Sequence, residues 1–193
     1  MRLLLGVTGG IAAYKACDLA SAAVRRGWEV RVAMTPNAAR FVGPVTFEAL
    51  TNHAVLLDDF ALGAPDPQSS VRHVAWAKWA TVACVAPLSA ATLGRIACGI
   101  PEDALTTTLL ALPAGAPVVL CPAMNTQMWN HPATQRNVEQ LKGDGVRFLE
   151  PPPGELACGE VGAGRMMEPE QIVEEVLAHF SQFTTPRLTT KKS

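Results

Sequence analysis

Short runs of apolar residues alternate with helical patterns along most of this chain, and the alternation limits the possible folds. The runs are typical of strands buried on both faces and cover residues 2–7, 28–34, 81–87, 116–122 and 146–150. Apolar residues at helical spacing lie between and after them, at 11–26, 37–52, 89–99, 103–112, 132–142 and 169–180. Such βαβ units build a parallel sheet covered by helices. We therefore predict an α/β fold, a Rossmann-like (flavodoxin-like) three-layer sandwich with a parallel sheet.

Length and composition bound the domain count and exclude several classes of function. The chain has 193 residues, 49% hydrophobic and 17% charged, which suits a single domain with a sizeable core. We predict that residues 1–182 form this domain and that residues 183–193 form a flexible polar tail. A net charge of −1 gives no basis for binding nucleic acid or an anionic membrane, and no segment has the ~20 apolar residues of a membrane span.

The five cysteines do not follow the pattern of a disulfide scaffold. Their number is odd, their spacing is irregular, and Cys84 and Cys121 lie within apolar runs. This usage favours a reduced, cytoplasmic setting. No spacing of histidines with cysteines suggests metal ligands, so we predict no metal site.

Polar and glycine-rich sequences fall where the predicted strands end. They cover residues 8–11, 35–38, 87–92 and 122–129. The carboxyl ends of parallel strands meet at one edge of the sheet, and ligands of such folds bind beyond that edge. We therefore expect these four turns to border a single cleft.

The first of these turns, in GVTGGIAAYKA, has features of a phosphate site. Glycines let a ligand approach the backbone, and the N–H groups of a helix N-terminus favour an anion. The spacing at Thr8, Gly9 and Gly10 is neither GxGxxG nor the GxxxxGK[ST] of a P-loop. A tight turn without a ligand is an equally good interpretation. If a ligand binds, the missing fingerprint favours a mononucleotide phosphate over a dinucleotide.

Capping residues follow the next two strands, in MTPNA and APLSAAT. Thr35, Asn37 and Ser89 are types that commonly cap helix N-termini, and each taken singly is best explained as a cap. Their presence together at one sheet edge favours a shared phosphate or ribityl site.

Two further segments and one histidine are candidates for catalysis. In PAMNTQMW, Asn125 could orient a carboxylate or a carbonyl, although a helix N-terminus with core Met and Trp explains the octet better by itself. In ACGEVGAGRM, Cys158 suits either a mobile lid with a reactive thiol or an idle exposed loop; the surrounding residues 151–166 are rich in Pro and Gly and show no periodicity. His73 alone is more typical of a structural histidine than of a catalyst.

Taken together, in their order and at their separations, these segments resemble the phosphopantothenoylcysteine decarboxylases, which belong to the flavin-dependent, homo-oligomeric cysteine decarboxylases. The resemblance runs from residue 3 to about 168 and is carried by GVTGGIAAYK, the RHV around His73, APLSAAT, PAMNTQMW and ACGEVGAGRM. PAMNxxMW and ACGExGxGRM are specific motifs, whereas the glycine turn is not. The resemblance implies that residues 1–182 are a flavoprotein decarboxylase domain with carboxy-lyase activity.

The resemblance also implies FMN as the cofactor and assigns roles to single residues. His73 would act in the oxidative step at the substrate cysteine, Asn125 would hold the substrate's carboxylate and amide, and Cys158 would donate the proton of the final step. The FMN site would comprise Gly9, Gly10, Ile11, Thr35, Ser89, Ala90 and Thr92. The substrate contacts would come from Asn125, Met128, Ala157, Cys158 and Gly159, with ACGEVGAGRM closing over the substrate.

The implied function is decarboxylation of 4′-phosphopantothenoylcysteine to 4′-phosphopantetheine in coenzyme A biosynthesis. Two alternatives are oxidative decarboxylation of a peptide's C-terminal cysteine to an enethiol, of the lantibiotic type, and a non-catalytic FMN-binding regulatory subunit. Cys158 favours the first function, because the peptide enzymes need no such proton donor. Relatives assemble as homotrimers or homododecamers, with interface candidates here at 37–52 and 89–105. The chain would be either a standalone enzyme or one part of a fusion with a synthetase domain.

Overall fold

The protein is built around one parallel sheet. The computed structural model describes residues 1–58, 71–155 and 161–184. Five strands form the sheet in the order β2-β1-β3-β4-β5. They are β1 Arg2–Val7, β2 Glu29–Met34, β3 Val82–Leu88, β4 Val118–Pro122 and β5 Arg147–Phe148. This is the strand order of the flavodoxin-like doubly wound fold, so the predicted α/β class with a parallel sheet is confirmed.

Helices cover both faces of the sheet. Within the described ranges they are α1 Lys15–Arg25, α2 Pro44–Thr51, α3 Arg72–Trp79, α4 Ala90–Cys98, α5 Ala104–Leu110, α6 Thr126–Asn130, α7 Pro132–Gly143 and α8 Pro169–Thr184. Short 3-10 turns at Ile11–Tyr14 and Ala38–Arg40 precede α1 and α2. None of these helices is long and apolar enough to cross a membrane.

The sheet separates two hydrophobic cores because alternate strand residues point to opposite faces. In β1, Leu3 and Leu5 pack with residues of α1 and α8, whereas Leu4 packs with residues of α4, α5 and α7. This arrangement is the predicted three-layer sandwich. The registers Val7↔Met34 and Leu88↔Pro122 bring the carboxyl ends of the first four strands to one edge.

Three local features differ from the sequence prediction. The helix expected at 37–52 is a 3-10 turn followed by α2, because Pro44 starts a new helix at its first position. The helix α3 was not predicted, since its eight residues lack a clear apolar period and Trp76 and Ala77 are buried by tertiary packing. Residues 151–166 contain an antiparallel hairpin, β6 Pro153–Glu155 with β7 Val161–Ala163. Its strands are too short and glycine-rich to show alternation.

The end of the predicted domain falls within α8, which continues to Thr184. The predicted flexible tail lies outside the described residues from position 185 onward. The division at residue 182 therefore stays a prediction.

Candidate functional site

One cleft lies at the carboxyl ends of β1, β3 and β4. Its volume of about 700 Å³ is typical of small-molecule and cofactor sites, and its lining is mostly apolar with a few polar groups. Three of the four predicted turns, at 8–11, 87–92 and 122–129, contribute to it. The lining residues are Gly9, Gly10, Ile11, Ala12, Tyr14, Lys15, Ser89, Ala90, Ala123, Met124, Asn125, Met128, Gly164, Arg165 and Met166.

A buried threonine joins the turns that follow β1 and β3. The Thr8 hydroxyl donates a hydrogen bond to the carbonyl oxygen of Pro87 at 2.8 Å and accepts one from the N–H of Ser89 at 2.8 Å. Its full burial means that the hydroxyl is a structural group and not a ligand contact. Thr8 therefore fixes the glycine turn relative to the start of α4.

The two glycines of the first turn have different surroundings. A Cβ at Gly9 would lie 2.6 Å from the Cβ of Asn37, so glycine permits the close contact between the turns after β1 and β2. A Cβ at Gly10 would have no atom within 4 Å. The backbone of this turn is thus packed on one side and open on the other. The turn at 35–38 lies behind the cleft wall.

The start of α4 faces the cleft. Ser89 caps this helix, as expected, since its Oγ accepts a hydrogen bond from the N–H of Thr92 at 3.3 Å. Ser89 and Ala90 both line the cleft, and the N-terminus of a nine-residue helix favours an anion there. Thr92 is buried beneath this turn and is not part of the lining.

The turn after β2 departs from the expected capping pattern. Thr35 is buried, and its Oγ1 accepts a hydrogen bond from the N–H of Ala38 at 3.3 Å, which is a cap. Asn37 occupies the N-cap position of the 3-10 turn Ala38–Arg40, as expected, but its side chain makes no cap hydrogen bond. Its Cβ lies against Gly9 instead. Neither residue lines the cleft, and the predicted contact of Thr35 with the cofactor stays a prediction.

Asn125 is fixed by the helix that it begins. Its Oδ1 accepts hydrogen bonds from the N–H of Gln127 at 2.8 Å and of Met128 at 3.3 Å, so it caps α6. Both Asn125 and Met128 line the cleft, and Met128 is half-exposed there, whereas Trp129 is buried in the core. The octet PAMNTQMW therefore combines a helix N-terminus and a core residue with two side chains at the cleft.

The hairpin β6–β7 docks directly on this asparagine turn. A Cβ at Gly162 would lie 2.4 Å from the Oγ1 of Thr126, and one at Gly164 would lie 2.1 Å from the carbonyl oxygen of Met124. The N–H of Met124 donates a hydrogen bond to the carbonyl oxygen of Gly164 at 3.0 Å. Gly162 and Gly164 of ACGEVGAGRM thus permit the close approach of β7 and the segment after it to the asparagine turn. Cys158, with Ala157 and Gly159, lies outside the described residues.

Two cationic side chains border the cleft and share one carboxylate. The Nζ of Lys15 lies 2.9 Å from Oε1 of Glu168, and the Nη2 of Arg165 lies 2.5 Å from the same oxygen. The hydrogen bond from Lys15 holds the pKa of the Glu168 carboxyl below its ordinary value, with a further contribution from the Arg165 charge. Lys15 and Arg165 line the cleft; Glu168 does not.

Three of the described cysteines, Cys17, Cys84 and Cys121, are poor nucleophiles. Burial raises the pKa of Cys121 to about 12, and burial also raises the pKa values of Cys84 and Cys17. A thiol with a raised pKa remains protonated at neutral pH and reacts slowly. Cys17, Cys84, Cys98 and Cys121 form no disulfide.

His73 lies in α3 and is not part of the cleft lining. The helix contributes Trp76 to the core on one face of the sheet. Within one copy of the chain, the structure therefore brings together Gly9, Gly10, Ile11, Ser89, Ala90, Asn125 and Met128 but leaves His73 outside the group.

Sequence reasoning missed several residues of the site. The sequence placed Thr8 in the glycine turn but did not predict its hydrogen bonds to the turn after β3. It predicted no role for Lys15, Arg165 or Glu168. Lys15 lies inside the helix predicted at 11–26, so its position gave no separate signal. The partners of Thr8 in the turn after β3, and Glu168 as the partner of Lys15, are distant in sequence. No local pattern predicts such contacts.

Comparison with known proteins identifies the family. The profile of the family described as Flavoprotein matches residues 1–181. The chain belongs to the flavoprotein family. This flavoprotein is 49% identical over 189 residues to the coenzyme A biosynthesis bifunctional protein CoaBC of Bacillus subtilis (strain 168), covering 98% of this chain and 45% of that protein. It is 41% identical over 183 residues to the CoaBC protein of Escherichia coli (strain K12), covering 93% of this chain and 43% of the relative. The flavoprotein chain thus spans less than half the length of these relatives.

Solved structures agree with this membership and confirm the family that the motifs indicate. A PPC decarboxylase variant complexed with pantothenoylaminoethenethiol matches with a TM-score of 0.82 and 33% identity, covering 93% of this flavoprotein and 98% of that chain. The FMN-dependent cysteine decarboxylase SpaF matches with a TM-score of 0.74 and 34% identity, covering 94% of this chain and 97% of the other. The FMN binding protein AtHal3 matches with a TM-score of 0.80 and 32% identity, covering 96% of this chain and 98% of the AtHal3 chain.

Proposed function

We propose that this chain catalyses the FMN-dependent decarboxylation of 4′-phosphopantothenoylcysteine to 4′-phosphopantetheine, a carboxy-lyase reaction of coenzyme A biosynthesis. The observation that carries the proposal is the single cleft in which the glycine turn, the Asn125 turn and the segment after the hairpin meet. These are the motifs that resemble the decarboxylases. Relatives named for coenzyme A biosynthesis, at 49% and 41% identity, support the substrate.

The cleft fits FMN in size and in chemistry. An opening of about 700 Å³ with a mostly apolar lining suits a flat ring system, and the capped N-terminus of α4 suits a phosphate. We propose that Gly9, Gly10 and Ile11 line the flavin and that Ser89 and Ala90 meet its phosphate or ribityl chain. Thr35 and Thr92, behind the lining, would support these turns. When bound, FMN supplies the two-electron oxidation and the later reduction that cysteine decarboxylation requires.

The substrate would lie against the Asn125 turn. Because Oδ1 of Asn125 accepts the two cap bonds, the side chain is held in one orientation, with Nδ2 as its donor group. We propose that this amide binds the substrate's carboxylate and amide and that Met128 packs against its apolar part. Ala157, Cys158 and Gly159 would also contact the substrate, and Cys158 would donate a proton in the last step.

His73 requires a second copy of the chain for its proposed role. It lies outside the cleft lining of its own copy, so an imidazole that accepts a proton from the substrate cysteine would come from a neighbour. Exposed apolar side chains in the predicted interface segment, Phe41 at 52% and Val45 at 70%, support assembly there. We propose a homo-oligomer with shared active sites, either a homotrimer or a homododecamer, located in the cytoplasm.

The proposal is tested by incubating the purified flavin-bound protein with 4′-phosphopantothenoylcysteine and, separately, with a peptide that ends in cysteine. We expect loss of CO2 alone from the first substrate, with oxidised FMN regenerated. Loss of CO2 and two hydrogens from the peptide, with bleached flavin, would instead establish the peptide-modifying activity of the lantibiotic-type enzymes. The similarity to SpaF, described as an FMN-dependent cysteine decarboxylase, supports cysteine decarboxylation in general and does not choose between the two substrates.

A variant with His73→Asn separates both enzymes from a non-catalytic FMN-binding subunit. We expect this variant to retain FMN and its oligomeric state and to lose turnover. A protein whose role is only to bind a partner would keep that binding after the substitution.

A further inference from the structure

We propose that Glu168 is a positioning residue that fixes Lys15 and Arg165 as a cation pair for the phosphate end of the substrate. The inference rests on the proposed function and extends the same site by one residue that does not line the cleft. It makes the pair a determinant of specificity for phosphorylated over unphosphorylated substrates.

Lys15 begins α1 directly after the 3-10 turn Ile11–Tyr14, so it lies in the N-terminal part of this helical segment, where the dipole does not favour a cation. Its location is therefore not explained by the stability of the helix. The Nζ atom lies 2.9 Å and 3.1 Å from the two carboxylate oxygens of Glu168, and the side chain is only 13% exposed. A flexible four-carbon stem would otherwise sample many rotamers, so these contacts hold the ammonium at the cleft.

Arg165 reaches the same carboxylate from the end of the hairpin. Its Nη2 lies 2.5 Å from Oε1 of Glu168. Its stem lies over β6, since a Cβ at Gly154 would be 3.4 Å from Cδ of Arg165. The guanidinium is thus tied to the hairpin on one side and to Glu168 on the other.

Glu168 itself has a fixed place in the backbone. Its carbonyl oxygen accepts a hydrogen bond from the N–H of Ile172 at 3.0 Å, and Pro169 begins α8 directly after it. The carboxylate is therefore anchored at a helix start. From this one point it orients cations that belong to α1 and to the hairpin segment.

The charge of the cleft identifies the class of group that the pair binds. The described residues of the lining include the two cations and no carboxylate. Each cation has more N–H donors than its contacts with Glu168 use, so a phosphate can bind without displacing the carboxylate. Asn125 lies on another wall of the same cleft, where it is proposed to hold the substrate's carboxylate.

Positioning and simple electrostatics predict opposite effects of the change Glu168→Gln. If Glu168 acted only through its charge, the loss of a negative charge near the site would strengthen binding of an anion and lower KM. If it positions the cations, the freed side chains lose their shared orientation and KM rises. The sign of the change in KM therefore decides between the two.

The experiment uses the flavin-bound oligomer with 4′-phosphopantothenoylcysteine and with unphosphorylated pantothenoylcysteine. For Glu168→Gln we expect KM for the phosphorylated substrate to rise about tenfold. We expect kcat for either substrate, and KM for the unphosphorylated substrate, to change less than about twofold. Glu168→Asp keeps the charge but shortens the reach, and an intermediate KM is expected. The matched control is Glu175→Gln in α8, which removes an exposed ion pair with Arg147 of β5 at 3.1 Å and should leave the kinetics with both substrates unaffected.

A second arm tests whether Glu168 acts through Lys15. In a Lys15→Met background, Glu168→Gln should raise KM by much less than it does alone. Additive effects would overturn the inference, as would an unchanged or lower KM in the single variant. Loss of FMN from Glu168→Gln with an unchanged KM would also overturn it, because the pair would then serve the flavin. If the unaltered protein does not turn over the phosphorylated substrate, the proposed function fails instead.

Discussion

Gly164 lies so close to Met124 that a Cβ at position 164 would be 2.1 Å from the Met124 carbonyl oxygen. The φ angle of Gly164, +138°, is also one that side chains rarely adopt. The hairpin and the asparagine turn are therefore joined by a contact that only glycine permits. Since Asn125 directly follows Met124, the position of the hairpin and the geometry of the site depend on each other.

We expect Gly164→Ala to reduce activity far more than it reduces stability. The clash and the unfavourable φ should cost about 2 kcal/mol in the free energy of unfolding. Displacing the hairpin from Asn125 should lower kcat/KM by about 100-fold, because small shifts of positioning groups are costly. Chemical denaturation and steady-state decarboxylation measure the two effects.

Gly143→Ala is the matched control for this substitution. Gly143 ends α7, and a Cβ there would meet no atom within 4 Å. We expect unchanged activity and a stability that is equal or higher by about 0.5 kcal/mol. Equal losses of activity in both variants would contradict the role given to Gly164.

Thr8→Val should weaken FMN binding although Thr8 does not line the cleft. The substitution preserves shape but removes both hydrogen bonds of the hydroxyl, so the Ser89 N–H loses its partner and the Pro87 carbonyl keeps only the 3.3 Å bond from the Thr8 N–H. The expected cost is about 2 kcal/mol in stability. The turns after β1 and β3 should separate, so flavin should be lost on dilution, which its absorbance and fluorescence report.

Thr108→Val provides the comparison for Thr8→Val. Thr108 is also fully buried, but its Oγ1 donates only to the carbonyl oxygen of Ala104 within α5, at 2.6 Å. That carbonyl belongs to the first residue of α5 and takes part in the hydrogen bonding of the helix, so the loss should be smaller and FMN should be retained. Equal loss of flavin from both variants would show that general destabilisation, and not the link between turns, releases it.

The sheet and the edge that bears the cleft could be predicted because buried parallel strands leave a strong local signal. Five apolar runs located β1 to β5, and the turns after β1, β3 and β4 do meet. The bond between Lys15 and Glu168 joins residues 153 positions apart. Such a contact is created by the packing of α1 against α8 and has no counterpart in local spacing.

The hairpin and α3 were missed for a different physical reason. Three-residue strands such as Val161–Ala163 are too short to alternate, and their stability comes from docking on the Asn125 turn. The helix Arg72–Trp79 is held by the burial of Trp76 and not by an amphipathic period. In both, tertiary contacts override weak local preference.

Asn125→Asp should abolish activity while leaving the fold intact. Aspartate is as good a helix cap as asparagine, so the bonds from Gln127 and Met128 are kept. The variant loses the NH2 donor and places a negative charge where a carboxylate is proposed to bind. We expect kcat/KM to fall by more than about 100-fold with an unchanged melting temperature.

The control is the opposite substitution, aspartate to asparagine, at the N-cap of another helix. Asp103 caps α5 by accepting a hydrogen bond from the N–H of Thr106 at 2.8 Å, away from the cleft lining. Asp103→Asn should therefore leave activity and melting temperature nearly unchanged. A large loss of activity in this variant, or none in Asn125→Asp, would refute the assignment of Asn125.

Glu168 should contribute to stability at neutral pH and lose that contribution in acid. The hydrogen bond from Lys15, aided by the Arg165 charge, lowers the pKa of the Glu168 carboxyl in the folded chain. A lowered pKa means that folding favours the charged form. Its stabilisation is therefore complete above the unfolded-state pKa of about 4.3 and disappears as the pH falls through the lower folded-state value.

Melting temperatures of the unaltered protein and of Glu168→Gln, measured from about pH 7 to pH 3, test this dependence. The unaltered protein should melt slightly higher at neutral pH, by no more than a few degrees, because the Glu168 carboxylate is half-exposed and ion pairs of exposed groups contribute little. The difference in melting temperature between the two proteins, the gap, should close in acid. At neutral pH, about 1 M salt should narrow this gap by screening the ion pairs of Glu168. A gap that widens as the pH falls would mean that Glu168 is stabilised in its protonated form, contrary to the contacts with Lys15 and Arg165.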